Sequence, residues 1–333
     1  MGRNMTSRRD FLALWAGTAL ATSLPSRAQD LERRAYRVGV LGLPSADAYA
    51  SRIQALKAGL QEFGYLEGRN VVLEYRWADG DVSQLDSLAA QLVSREVDVI
   101  VTSATPAVQA AKRATGSIPI IMATTADAAA TGLVKSLSHP GGNVTGMTMM
   151  ANDLGRKQME ILRETIPRLS HVGLLALSGV DGSKSLIASL SPVARDMKIE
   201  LVIAAFSGSN DLKDAFRLLK SKRAQALIVQ SSPVARQVRS AIIHLAGDQL
   251  LPTISSYSDF ADAGGLISYG PNDLEMWRRT AYFVDRVLKG TRPADIPVEQ
   301  PTIFYLSLNR RVAGTLRVKF PQALLVRADR VID

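Results

Sequence analysis

From Tyr36 to Ser255 the chain alternates strand signals with helix signals, and the alternation runs through twice. The stretch 36–41, Tyr-Arg-Val-Gly-Val-Leu, reads as a buried strand. Helical spacing follows over 49–63, where Ile53, Leu56, Leu60 and Phe63 recur on one face and Gly64 ends the run. Strand signals then occupy 71–77, 97–101 and 118–123, separated by helical patterns over 82–95 and 106–115. The second of those helices opens on Pro106, where a missing N–H is harmless. Strands that alternate with helices of this length demand a parallel sheet covered on both faces. The same series resumes at 171–177 (strand), 183–197 (helix), 200–205 (strand), 211–221 (helix), 226–230 (strand), 232–247 (helix) and 252–255 (strand).

The fold class this implies is α/β, with two doubly wound, Rossmann-like parallel-sheet lobes. The tail supplies a strand near 265–269, a helix over 272–289, a Pro-rich extended piece over 293–301 and a last strand over 303–308. The simplest assembly places 36–145 plus 259–297 in lobe 1 and 146–254 plus 301–333 in lobe 2. The chain then crosses between lobes near 143–148, 254–258 and 297–301, a hinge suited to opening and closing.

The first 28 residues read as an export signal. Ser7-Arg8-Arg9-Asp10-Phe11-Leu12 is a twin-arginine pattern, an uncharged run extends to Ser26, and Ser26-Arg27-Ala28 offers small residues to a signal peptidase. Cleavage after Ala28 is expected. Ala13 stands where that pattern often has Lys, so Tat and Sec export both remain open. The expected destination is the periplasm, as a freely soluble monomer with no membrane span. The chain has no Cys, which removes disulfides, thiol catalysis and lipid attachment to Cys. Of the formal charge of +9, the leader accounts for +3, through Arg3, Arg8, Arg9 and Arg27 against Asp10; the mature chain is near +6. Its basic residues are spread along helices rather than clustered, so nucleic acid is not an expected partner.

In doubly wound sheets, ligands bind beyond the C-terminal ends of the strands, near the switch point. The loops that fall there are rich in hydroxyls and helix starts. They give the candidate ligand-binding residues Pro44, Ser45, Ser103, Thr105, Thr124, Asp127, Ser178, Ser231, Ser232 and Tyr257. A helix N-terminus offers free N–H groups to an anion, although Ser or Thr in front of Pro is also an ordinary cap. No catalytic residue, cofactor or metal site is expected. G-x-S-x-G and H-E-x-x-H are missing, 59–64 has P-loop glycine spacing without the Lys-Ser/Thr that follows it, and 39–42 falls short of G-x-G-x-x-G. His139, His171 and His244 are widely separated.

Several segments together resemble a known family. They are ATPAVQAAK at 104–112, GLVKSLSHPGGNVTG at 132–146, ADAGGLISYG at 261–270, LKG at 288–290, PVEQPT at 297–302 and LLVRAD at 324–329. The chain over 36–333 is similar to ABC-transporter substrate-binding proteins related to the tryptophan/tyrosine-binding group. The resemblance implies the type I periplasmic-binding-protein fold, a role in uptake, and membrane permease and ATPase subunits as partners. One departure is Asp127-Ala128-Ala129, where the family usually reads Asp-Pro-Val. The ligand implied by analogy is a small molecule, an amino acid or another carboxylate. A sensory or scavenging module without a transporter, and an exported enzyme on the same scaffold, are the alternative readings.

Overall fold

The computed structural model describes residues 35–257 and 259–333; the export signal expected over the first 28 residues lies outside them. The first lobe is built from β1 (Tyr36–Gly42), α1 (Ala46–Glu62), β2 (Val71–Trp77), α2 (Leu85–Ser94), β3 (Val99–Ser103), α3 (Thr105–Ala114), β4 (Ile120–Thr124) and β5 (Val144–Gly146). Its sheet has the order β2-β1-β3-β4-β5, with every pair parallel. Strand order reverses at β1, so the switch point lies between β1 and β3.

The second lobe follows with α4 (Ala151–Thr165), β6 (His171–Leu177), α5 (Asp181–Asp196), β7 (Glu200–Phe206), α6 (Leu212–Ser221), β8 (Ala226–Val229), α7 (Pro233–Gln237), α8 (Arg239–Asp248), β9 (Thr253–Ser255) and β10 (Ile267–Gly270). The chain continues through α9 (Asp273–Leu288), β11 (Tyr305–Asn309), α10 (Arg310–Thr315), α11 (Gln322–Arg327) and β12 (Arg330–Ile332). The sheet order is β12-β11-β10-β9-β8-β6-β7, parallel except for the β10–β11 pair. The pattern over 232–247 reads as one helix but forms two, broken at Val238.

Period-two burial separates the two faces of the first sheet. Val38, Val40, Val99 and Val101 point to the side covered by α1 and α9, where Tyr49, Leu56, Leu60, Trp277, Ala281 and Val284 complete the core. Leu41, Ile100, Ile120 and Met122 point the other way, towards α2 and α3. That second cluster continues without a break into Leu175, Leu177, Phe206 and Phe216 of the other lobe. Helices α1 and α9 come unusually close at Gly59, where an added Cβ would lie 2.3 Å from the Arg278 carbonyl oxygen.

The lobe boundaries need one correction. Residues 259–297 were expected to belong together in lobe 1. Instead β10 sits inside the second sheet, with Ile267 opposite Ile254 on one side and Leu308 on the other, while α9 packs on the first lobe. The crossing placed at 254–258 therefore falls at Pro271 and Asn272. A strand's apolar run reveals that it is a strand but not which sheet completes its hydrogen bonds. The other two crossings run side by side: Thr148 N–H donates to the Glu299 carbonyl (3.0 Å), and Glu299 N–H donates to the Gly146 carbonyl (2.9 Å).

Candidate functional site

The C-terminal strand ends of both sheets face one cleft. Ala104, Thr105 and Pro106 follow β3, and Thr124, Thr125 and Ala126 follow β4. From the other lobe come Val180 and Gly182 after β6 and Gln230, Ser231, Ser232 and Pro233 after β8. Helices α1 and α9 add Tyr49, Arg52, Asp273 and Trp277, and α4 adds Leu154 and Gln158. The empty space between them, taken out to its open mouth, is about 910 Å³. Its walls are mostly apolar with a few placed polar groups, as in small-molecule sites.

The backbone bends sharply at this cleft. Ala104, a non-glycine residue, has φ 65° and ψ 141°. Met150, between Met149 and Ala151 of the lining, has φ 55°. Positive φ at residues with a Cβ costs energy and persists only where the surroundings enforce it.

Among the described residues three charged side chains line the cleft, and all are buried: Arg52 is 7% exposed, Arg236 8% and Asp273 4%. Arg52 donates from Nε (2.9 Å) and Nη2 (2.7 Å) to Asp273 Oδ2, and Arg236 Nη2 donates to the same oxygen at 3.1 Å. Arg236 Nη1 donates to Asp259 Oδ2 (2.5 Å), which also accepts from Arg239 at 2.7 Å. The Arg236 guanidinium lies over the Tyr257 ring at 3.6 Å. Burial disfavours the Arg236 cation, but Asp273, Tyr257 and Asp259 outweigh it and hold its pKa above the ordinary value. Burial likewise pushes the phenols of Tyr49 and Tyr257 up, so both remain protonated donors. The network joins lobes as well as charges, since Arg52 and Asp273 belong to elements of the first lobe and Arg236 to α7 of the second.

Around the cleft the lobes are in contact. Gln109 Nε2 donates to Asp181 Oδ2 at 2.8 Å. A Cβ on Gly182 would meet Thr105 Oγ1 at 3.2 Å and the Ala126 Cβ at 3.3 Å, and one on Gly80 would meet Gln237 Oε1 at 3.2 Å. The lobes are therefore closed on each other.

Of the ten candidates from sequence, Thr105, Thr124, Ser231, Ser232 and Tyr257 line the cleft. Ser232 also caps α7, accepting from Ala235 N–H at 3.0 Å, whereas the Ser231 hydroxyl is buried with no partner among the described residues. The other five do not line it. Pro44 is buried in the turn after β1, and Ser45 caps α1 by accepting from Ala48 N–H. The Ser103 hydroxyl lies behind the wall, bonded to the Tyr49 hydroxyl. Asp127 closes a turn by accepting from Ala130 N–H at 3.0 Å, and Ser178 is exposed outside the lining. The charged residues were missed. Arg52 had left a signal, since it falls inside the apolar stripe Tyr49, Ile53, Leu56 and Leu60. Asp273 had left none, because an acid after Asn272 reads as an ordinary first helical turn.

The chain matches the family model for ABC transporter substrate binding proteins over residues 37–332. The protein belongs to that family. Among curated relatives it is 30% identical to the tyrosine-binding protein of Clostridioides difficile (strain R20291) over 246 residues, 72% of this chain and 68% of that one. A conserved domain protein from Vibrio cholerae superposes with a TM-score of 0.84 at 27% identity, covering 90% of this chain and all of that one. The ABC domain from Streptococcus pneumonia in complex with L-Trp superposes at 0.80 and 27% identity, covering 89% of this chain and all of that one. As a substrate-binding family member with two parallel-sheet lobes, the protein has the type I periplasmic-binding-protein fold. Among the described residues no helix is long and apolar enough to cross a membrane.

Proposed function

We propose that this protein is the extracytoplasmic receptor of an ABC importer, and that it captures a small carboxylate in the cleft between its lobes. The observation that carries the reading is the charge of the cleft: two buried guanidiniums, one from each lobe, share a single lining carboxylate. The lining's two guanidiniums against one carboxylate leave a net positive charge, and a ligand carboxylate is a group that both guanidiniums can pair with. The apolar wall of Trp277, Leu154, Leu186 and Ile228 suits the rest of such a ligand. Kinship with a tyrosine-binding protein and with a structure holding L-Trp supports an aromatic or amino-acid-sized body. Leader cleavage after Ala28, residence in the periplasm, and docking of the closed form on permease and ATPase subunits belong to the same proposal.

The proposed cycle is simple. Ligand enters the open cleft and meets Arg52 on one lobe. Closure brings in Arg236 and Ser231 from the other, and the crossings near 143–148, 271–272 and 297–301 absorb the change. Thermal unfolding of the purified protein, refolded to remove carried-over ligand, against a panel of small carboxylates, amino acids, sugars and cations tests this. At a hundred times its dissociation constant a ligand adds about 2.7 kcal/mol, a rise of several degrees in Tm. A rise with carboxylates alone is the expected result. A rise with sugars or cations and none with carboxylates would contradict the reading.

A further inference from the structure

The charge balance of the cleft narrows the ligand further. Among the described residues, the lining carries Arg52 and Arg236 against Asp273, a surplus of one positive charge. Extending the count to the groups bonded to these leaves it unchanged, because Asp259 enters together with Arg239. Asp273 is already shared, since its Oδ2 accepts from both guanidiniums. An amino-acid zwitterion has no net charge and would place its ammonium in a buried space with two cations and that one shared carboxylate. A carboxylate with no ammonium brings the single negative charge that the cleft lacks. Donors are plentiful for it. Gln230 Oε1 is occupied by Leu177 N–H (2.9 Å) and by the Ser183 hydroxyl (2.8 Å), which leaves its Nε2 to donate. The Ser231 hydroxyl is buried in the lining without a partner.

We infer that the ligand is a monoanionic carboxylate lacking an α-ammonium group, an aryl- or alkyl-substituted propionate-type acid, and that this chain discriminates against the corresponding amino acid. The inference rests on the proposed reading of the cleft as a carboxylate site. Repulsion between like charges at low local dielectric, unrelieved by water, sets the discrimination.

Isothermal titration with matched pairs tests it: 3-phenylpropionate against L-phenylalanine, 3-(4-hydroxyphenyl)propionate against L-tyrosine, indole-3-propionate against L-tryptophan, and 4-methylpentanoate against L-leucine. At least one acid is expected to bind tenfold or more tightly than its amino-acid partner. An amino acid that binds as well as or better than its deaminated partner would overturn the inference and leave the carboxylate site standing. Binding of neither member of any pair would overturn both. The variant Ser231→Asp, which adds the missing negative charge on the cleft wall, supplies a second readout in the same titrations. It is expected to narrow or invert the ratio between acid and amino acid, and an unchanged ratio in a folded variant that still binds would contradict the electrostatic origin of the preference.

Discussion

Asp273 is the residue on which the cleft's electrostatics turn. It is 4% exposed and bridges Arg52 of the first lobe and Arg236 of the second. Removing one partner of a buried charge network leaves uncompensated cations, so Asp273→Ala is expected to cost about 3–5 kcal/mol by chemical denaturation. A loss under 1 kcal/mol would mean that water already reaches the arginines. Ser231 makes the opposite test. Its hydroxyl has no partner, and such a group costs about 1–3 kcal/mol when buried. Ser231→Ala is therefore expected to keep or raise the Tm of the ligand-free protein while weakening ligand binding; a lower Tm would assign the hydroxyl a structural role. Tyr49 shares the alkaline pH dependence with Tyr257. Burial raises its pKa above the ordinary phenol value, so the unfolded chain releases that proton first. The stability it contributes is full below about pH 10, the unfolded phenol pKa, and falls as pH rises beyond it. Tyr49→Phe is expected to flatten the decline of Tm above pH 10. At this scale the sequence was legible where hydroxyls precede helix starts, as at Thr105, Ser231 and Ser232. It was silent where a charge owes its role to a partner more than two hundred positions away, as Arg52 does to Asp273.

At the scale of elements, the fold was readable wherever one strand's own pattern decides its burial. The apolar runs of β1, β3 and β6 are buried along most of their length and stand within two residues of where their sequences place them. Helix α1 was equally clear from its stripe. Pairing was not readable. Strand β10 and helix α9 are adjacent in sequence yet belong to different lobes, and β12 is only three residues long, Arg330–Ile332, too short to carry a period. The two-helix break at Val238 has no glycine or proline to announce it. The pair α1 and α9 gives a sharp test, because it delivers Arg52 and Asp273 to the cleft together. An added methyl at Gly59 meets backbone, the Arg278 carbonyl, which cannot rotate away. Gly59→Ala is expected to cost about 1–3 kcal/mol and to weaken ligand binding as well, since the helices must separate to admit the Cβ. Equal binding would show that the charged cluster tolerates a shift of α9.

For the whole molecule, the three crossings and the closed contacts describe one device. Gln109 with Asp181, Gly182 with Thr105, and Gly80 with Gln237 meet only because the lobes are together. None of these three contacts is large on its own; they add to the apolar cluster that already runs from one lobe into the other, and a bound ligand supplies the further contacts that favour the closed form. Gly182 stands at one of these close approaches, on the second lobe and facing Thr105 and Ala126 of the first. A side chain there acts as a wedge that spares both cores.

Small-angle scattering on the refolded protein and on Gly182→Leu, each without ligand and then saturated with the carboxylate that gives the largest thermal shift, tests the central claim most directly. A compact chain of this length has a radius of gyration of about 19 Å. The wild-type protein is expected to contract towards that value on saturation, and Gly182→Leu to stay expanded and bind weakly while remaining folded. A radius unchanged by saturating ligand in the wild type, or a wedge variant that binds as tightly as the wild type, would place the ligand outside the interlobe cleft and contradict the account.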